Sequence, residues 1–368
     1  MSEERAAVLD RVGLDRLFEV LVEDGYRVVG PTVRDEAIVL EELDSAAWLP
    51  AGWGVDTAPG RYRLRRREDA AVFGHSAGPQ SWKKYLHPAR RQLWSTGDDG
   101  EFRSVADEPR RYAFFGVRGC DLASIAVLGR VLGDGGHPDG AFARRCRGLF
   151  VVAANCTEPG EVCFCASMGT GPEAGPGYDL SLTERIDGAG HRFLVEIGSA
   201  EGARILARVG CRDAAEEEIS SARAEVAAAA GRMRRTMPDG LPALMRGSYD
   251  SPVWAAVASR CLTCANCTMV CPTCFCTTTE DVTDLTGEHA ERWQHWASCF
   301  ELDFSYLHGG SVRTSGASRY RQWMTHKLGT WHDQFGGSGC VGCGRCIAWC
   351  PAGIDITEEA AKLAGERP

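Results

Sequence analysis

Apolar positions recur at roughly helical spacing through residues 4–22, where Val8, Leu9, Val12, Leu17, Phe18, Leu21 and Val22 predict one helix, with Gly25 as its stop. Residues 26–29 and 37–40 read as strands around a Gly30-Pro31 turn. From 48 to 94 the chain mixes Gly, Pro, aromatic and basic residues without a helical period, which predicts strands and loops. Short apolar strands are expected at 113–117 and 149–154, with a helix over 120–132 between them. The Gly-rich stretch 169–177 is a loop, 192–197 a strand, and 213–235, rich in Ala and charge, a surface helix. This alternation predicts an α+β or α/β N-terminal domain over 1–245. A linker at 238–252 leads into a second domain, 246–368, closed by a short helix that opens at Asp355-Ile-Thr-Glu-Glu.

Two runs in the second domain carry the chemistry. Cys261-x-x-Cys264-x-x-Cys267-x-x-x-Cys271-Pro272 is repeated as Cys340-x-x-Cys343-x-x-Cys346-x-x-x-Cys350-Pro351. This is the bacterial-ferredoxin spacing for two [4Fe–4S] clusters, in which the fourth cysteine of each run serves the other cluster. Cluster 1 is then expected on Cys261, Cys264, Cys267 and Cys350, and cluster 2 on Cys340, Cys343, Cys346 and Cys271. Structural zinc uses paired C-x-x-C knuckles, which lack this three-plus-one spacing. The segment between the runs, with an insert at 277–339, is far longer than a compact ferredoxin carries. It holds Trp293, Trp296, Phe300, Phe304, Tyr306, Tyr320, Trp323, Trp331 and Phe335. A mainly helical ferredoxin-like domain, with these rings packed around the clusters, is the expectation.

Nine of the 17 cysteines lie outside the runs. Cys120 and Cys156 follow expected strands, and Cys163-Phe-Cys165 is a C-x-C pair. Together they are the first choice for a third iron–sulfur centre, with two strand ends bringing thiols to one sheet edge. A rival set uses Cys274, Cys276 and Cys299, with or without one N-terminal cysteine, and buried thiols acting as small apolar groups are the plain alternative. Cys146 and Cys211 are isolated.

Composition narrows the role. A net charge of −9 argues against nucleic acid as a partner. No apolar run approaches the ~18–20 residues of a membrane span, and the N-terminus has no signal-like core, so a cytoplasmic protein with metal-bound thiols is expected. There is no G-x-x-x-x-G-K-[ST] loop, no strand-linked G-x-G-x-x-G and no H-E-x-x-H. His308-Gly-Gly-Ser311 lacks an accompanying G-x-S-x-G and reads as a loop. The basic run Arg61-Tyr-Arg-Leu-Arg-Arg-Arg67 reads as a solvated strand edge. The chain thus carries motifs for moving electrons and none for making bonds, so no catalytic residue is expected.

Several segments resemble a known family. They are GWGVDTAPGRYRLRRREDAAVFGHSAGPQSWKKYLHP, YAFFGVRGCDLASI, NCTEPGEVCFCASMGTGP, RCLTCANCTMVCPTCFCTTTEDVTDLTG and SCFELDFSYLHGGSVR. They resemble the β subunit of cytosolic NAD(P)-linked [NiFe] sulfhydrogenases, and are similar to a related family of anaerobic sulfite reductase subunits. The resemblance runs from about residue 26 to 360. It implies an electron-transfer subunit between a hydrogenase small subunit, itself bound to a nickel–iron large subunit, and a flavin- and NAD(P)-binding γ subunit. A relay subunit of a sulfite or polysulfide reductase is the alternative. A free carrier or a cluster-based sensor is a third reading. The long N-terminal part counts against the carrier, and the lack of an effector domain against the sensor.

Overall fold

A computed structural model describes residues 6–365 apart from 98, 106–109, 135 and 189. In chain order its main strands are β1 (Ala6–Asp10), β2 (Arg27–Arg34), β3 (Ala37–Glu42), β4 (Trp53–Ala58), β5 (Arg61–Arg66), β6 (Arg90–Thr96), β7 (Phe102–Ser104), β8 (Tyr112–Val117), β9 (Phe150–Ala154), β10 (Leu180–Asp187), β11 (Gly190–Ile197), β12 (Arg212–Asp213), β13 (Thr277–Thr283) and β14 (Ala290–Trp296). Eight of them form one sheet in the order β12-β1-β11-β10-β9-β8-β2-β3. The four middle strands, β10, β9, β8 and β2, run parallel. The flanking pairs are antiparallel. The result is a mixed α/β platform.

Both faces of this sheet are covered. Helix Arg11–Glu23 sets Leu14, Leu17, Phe18 and Leu21 against Phe115, Val152 and Phe193 on one face. Trp82, Leu86, Leu122 and Phe142 cover Phe114 and Val151 on the other. Phe114 and Phe115 serve opposite faces because strand side chains alternate. The alternation is broken once, at Gly116, where β8 shifts register against β9. Gly116 has φ +88°, and a Cβ there would lie 2.9 Å from the Phe73 ring. A bulge of this kind re-aims the backbone downstream of it, here Arg118-Gly119-Cys120.

Three expectations need correction. Residues 6–10 are not helical: Ala7 and Leu9 face one core and Val8 the other side, so the alternation is that of a strand paired with β11. Residues 4 and 5 lie outside the described residues. The helix begins only after Asp10, whose carboxylate caps it by accepting the Gly13 amide at 2.8 Å. Gly30-Pro31 is no turn but lies within β2; β8 pairs only with Arg27–Val29, so the missing Pro N–H falls where that edge is free. The reversal comes at Asp35 and Glu36, both with positive φ. Third, the stretch 238–252 holds a helix, Leu241–Gly247, under which Met245 is buried.

The expected strands at 113–117, 149–154 and 192–197 and the helices at 120–132 and 213–235 are present as β8, β9, β11, Gly119–Leu128 and Glu216–Gly231. Beyond residue 246, short helices and the β13–β14 hairpin alternate. The hairpin completes a second sheet, β13-β14-β6-β7, whose strands come from both halves of the chain. Arg90 stacks on Trp293 at 4.0 Å across that seam. A second core joins Val162 and Phe164 to Met245, Trp254, Phe300, Trp323 and Ile347, so the two halves share an interior.

Candidate metal centres

The two cysteine runs fold into matching loops. Cys261 and Cys264 sit on a loop after helix Val253–Ala258, and Cys267 lies in the short helix Asn266–Met269. Cys340 and Cys343 precede helix Arg345–Ala348, which holds Cys346. Third and fifth positions of both loops take left-handed backbone: Thr263 (φ +50°) and Ala265 (+64°) match Gly342 (+64°) and Gly344 (+74°). This turn aims an amide back at the leading sulfur. Thr263 N–H donates to Cys261 Sγ at 3.4 Å, and Gly342 N–H to Cys340 Sγ at 3.5 Å. Ile354 N–H does the same for Cys350 at 3.3 Å. Amides placed this way stabilise negative charge on sulfur.

The glycines of the second loop have a further cause. A Cβ on Gly342 would lie 2.6 Å from the backbone of Cys165, and one on Gly344 2.4 Å from the Val162 carbonyl. The second loop is therefore pressed onto the 162–165 segment. The first loop is more open, and Cys264 is exposed.

Sorted by neighbourhood, fifteen cysteines fall into four groups. Cys261, Cys264, Cys267 and Cys350 line one cavity with Phe300, Tyr320, Trp323 and Ile354, and Cys346 borders it too. Cys340, Cys343, Cys346 and Cys271 are mutual electrostatic neighbours. Cys120, Cys156, Cys163 and Cys165 gather at the carboxyl edge of the adjacent parallel strands β8 and β9, the edge where α/β sheets place their ligands. Cys274, Cys276 and Cys299 line a further cavity. Cys146, at a helix end, and the exposed Cys211 join none of these groups.

The groups adjoin. Cys343 is a charge neighbour of both Cys120 and Cys163, and Cys267 of Cys346. Burial pushes Cys343 up to about 11 and Cys340 to about 12. Cys271 is instead held well below its usual range by a hydrogen bond from Cys274 and by the Lys327 ammonium, whose Nζ lies 3.4 Å from its sulfur.

The surroundings suit a multi-iron group better than a single ion. Among the described residues, no three His, Cys, Asp or Glu side chains converge as one metal ion requires. The first set and the trio Cys274, Cys276 and Cys299 line cavities instead. Buried donors without a protein acceptor stand around the thiols: Tyr320 Oη and Trp323 Nε1 on residues lining the first cavity, and Arg345 Nη1 beside Cys343 and Cys120. Inorganic sulfide would give such donors an acceptor. Arg345 is 3% exposed and lies 2.8 Å from Asp121, close enough for an ion pair but off the line of a hydrogen bond. Its Nε donates to the Gly78 and Gln80 carbonyls.

Sequence reasoning missed Arg345 and the buried lysines Lys83 and Lys327. Lys327 had a readable signal. Tyr320, Trp323, Met324, Leu328 and Trp331 form a helical apolar stripe, and Lys327 stands within it. A π-helical stretch, His326–Thr330, turns it inward. Arg345 sits inside a cluster loop, where a charge looks like solvated surface, and nothing local marks Lys83.

A family model described as a 4Fe-4S dicluster domain matches residues 260–354. The chain is 33% identical over 253 residues to sulfhydrogenase 2 subunit beta of Pyrococcus furiosus, an alignment spanning 68% of this chain and 73% of that one. No solved structure matches. No helix among the described residues is long and apolar enough to cross a membrane. With a dicluster domain joined to a sheet edge that gathers four further thiols, the chain belongs to the sulfhydrogenase β-subunit family of iron–sulfur electron-transfer subunits.

Proposed function

We propose that this chain relays single electrons, in the cytoplasm, between a [NiFe] hydrogenase small subunit, docked on its large subunit, and a flavin- and NAD(P)-binding subunit, without a catalytic site of its own. The ligand sets are Cys261, Cys264, Cys267 and Cys350 for the first [4Fe–4S] cluster and Cys340, Cys343, Cys346 and Cys271 for the second. Cys120, Cys156, Cys163 and Cys165 hold a third iron–sulfur centre on the platform. Each group, when bound, supplies a one-electron couple. The division of labour is a platform over 1–245 and a two-cluster domain over 246–368.

The observation that carries this reading is contiguity. The N-terminal thiols border the second set through Cys343, and the second set borders the first through Cys346 and Cys267. The row ends at the exposed Cys264. Along it the chain's own groups do three things. Buried thiols keep water away, backbone amides donate to sulfur, and Arg345 and Lys327 offset negative charge in an interior of low dielectric.

The test is Cys343→Ala in the assembled complex, a change in the middle of the row. Hydrogen-dependent dye reduction should persist, because a dye takes electrons upstream. NAD(P) reduction should fall by at least the roughly tenfold that even an outer-sphere change costs a metal site. A fully assembled variant reducing NAD(P) at the unmodified rate would remove the second cluster from the path.

A further inference from the structure

We infer that Cys274, Cys276 and Cys299 hold a separate iron–sulfur cluster by three thiolates, beside the second cluster and distinct from the set on the platform. The two C-x-C pairs are rivals for one role in the sequence, but they end in different places. Cys163 and Cys165 join Cys120 and Cys156. Cys274 and Cys276 line a cavity with Cys299, which comes from the turn after β14. The hairpin formed by β13 and β14 brings these thiols together: Thr277, one residue past Cys276, pairs with Trp296, and the Ala297 amide closes on the Cys276 carbonyl at 2.9 Å.

The electrostatics demand an anion here. Lys83 and Lys327 are each 3% exposed. Lys83 Nζ donates to the Cys274 carbonyl at 2.9 Å and sits 3.7 Å over Trp296. Lys327 Nζ donates to Cys271 Sγ, Thr273 Oγ1 and the Gly339 carbonyl. Neither has a carboxylate partner among the described residues; their opposite-charge neighbours are thiols alone. Two buried ammonium groups are costly unless paired. Cys271 of the second set is a charge neighbour of both lysines, but the thiol that acts most strongly on Lys83 is Cys274. Thiolates on a cluster at Cys274, Cys276 and Cys299 would complete the pairing. Trp331 also lines this cavity, and its Nε1 is a buried donor with no protein acceptor. A cluster sulfide would accept from it.

Three thiolates leave one iron of a [4Fe–4S] cube without a cysteine, and that iron is the labile one. A one-electron oxidant such as ferricyanide takes one electron, Fe²⁺ departs, and [4Fe–4S]²⁺ becomes [3Fe–4S]⁺. In the full-length chain purified without oxygen, iron and acid-labile sulfide should approach about sixteen each, the content of four cubes. The double variant Cys276→Ala/Cys299→Ala should lose about a quarter of both. It should also lose the [3Fe–4S]⁺ EPR signal that mild ferricyanide raises in the unmodified chain. A folded double variant with unchanged iron and an unchanged signal overturns the site. Should that variant fail to fold, the unmodified chain decides, because no [3Fe–4S]⁺ signal after mild ferricyanide treatment overturns the three-thiolate cube. Either failure leaves the three-centre relay standing, since its thiols are untouched.

Discussion

Arg345 is a buried charge held from several sides. It lies between the second thiol set and the platform set, paired with Asp121 one residue from Cys120. Removing one partner of a buried pair strands the other charge, which costs about 3–5 kcal/mol, whereas removing both can be nearly neutral. Arg345→Met should therefore lower the free energy of chemical unfolding by that order, and Arg345→Met/Asp121→Leu should recover most of it. Equal loss in the single and double variants would mean that Arg345 acts through its bonds to Gly78 and Gln80, not through Asp121. The residue scale also marks what could be read in advance. Cysteine spacing is local, so both four-cysteine runs were plain from the sequence. The charges that offset the thiols were not, because a buried Lys and a solvated Lys are the same letter, and only the stripe around Lys327 distinguished them.

At the scale of elements, the second cluster loop and the platform loop are fitted backbone to backbone at Gly342. Gly342→Ala should disturb the EPR of the platform centre as well as that of the second cluster, because the new Cβ would sit 2.6 Å from Cys165. Gly169 supplies the control. Its φ is +66° with nothing within 4 Å of a Cβ, so Gly169→Ala should cost only about 1–2 kcal/mol of backbone strain. Identical spectra for Gly342→Ala and the unmodified chain would show that the loops do not depend on each other. The platform set was legible for a related reason. Two apolar runs, each ending in a cysteine, became the adjacent parallel strands β8 and β9, and parallel neighbours deliver their ends to one edge. What misled was short range. Val8 and Leu9 fit a helical wheel as well as a strand, and only pairing with β11, far along the chain, decides between them. The union of Cys276 with Cys299 likewise depends on a hairpin whose register no spacing rule gives.

Across the whole molecule the two cores differ in what they need. The core under one face of the eight-stranded sheet is built from side chains such as Leu17, Phe18, Phe115 and Val152, without a cysteine. The second core counts Cys340 among its buried members, with Cys261, Cys267, Cys346 and Cys350 packed on it. Anaerobic removal of iron should therefore loosen the second core first, since metal binding there is part of folding. Strand circular dichroism should largely persist while tryptophan emission shifts to the red, as Trp254, Trp323 and Trp331 lose their cover. Loss of both signals together would mean that the sheet, too, depends on metal.

The seam between β6 and β14 sets a schedule for biosynthesis. Thr96 and Ala290 are 194 positions apart, yet they exchange hydrogen bonds. At ~5–20 residues per second, a ribosome needs roughly 10–40 s to supply the partner strand. Through that interval β6 is an open edge on a nascent chain, the kind of surface that invites intermolecular pairing. Its opening residues, Arg90 and Arg91, put two positive charges on that edge, and charge is a common guard against such pairing. Cys299, Cys340, Cys343, Cys346 and Cys350 emerge later still. An iron–sulfur assembly machine therefore meets the complete ligand sets of the second half only once Cys350 has emerged, whereas the platform set is complete as soon as Cys165 has.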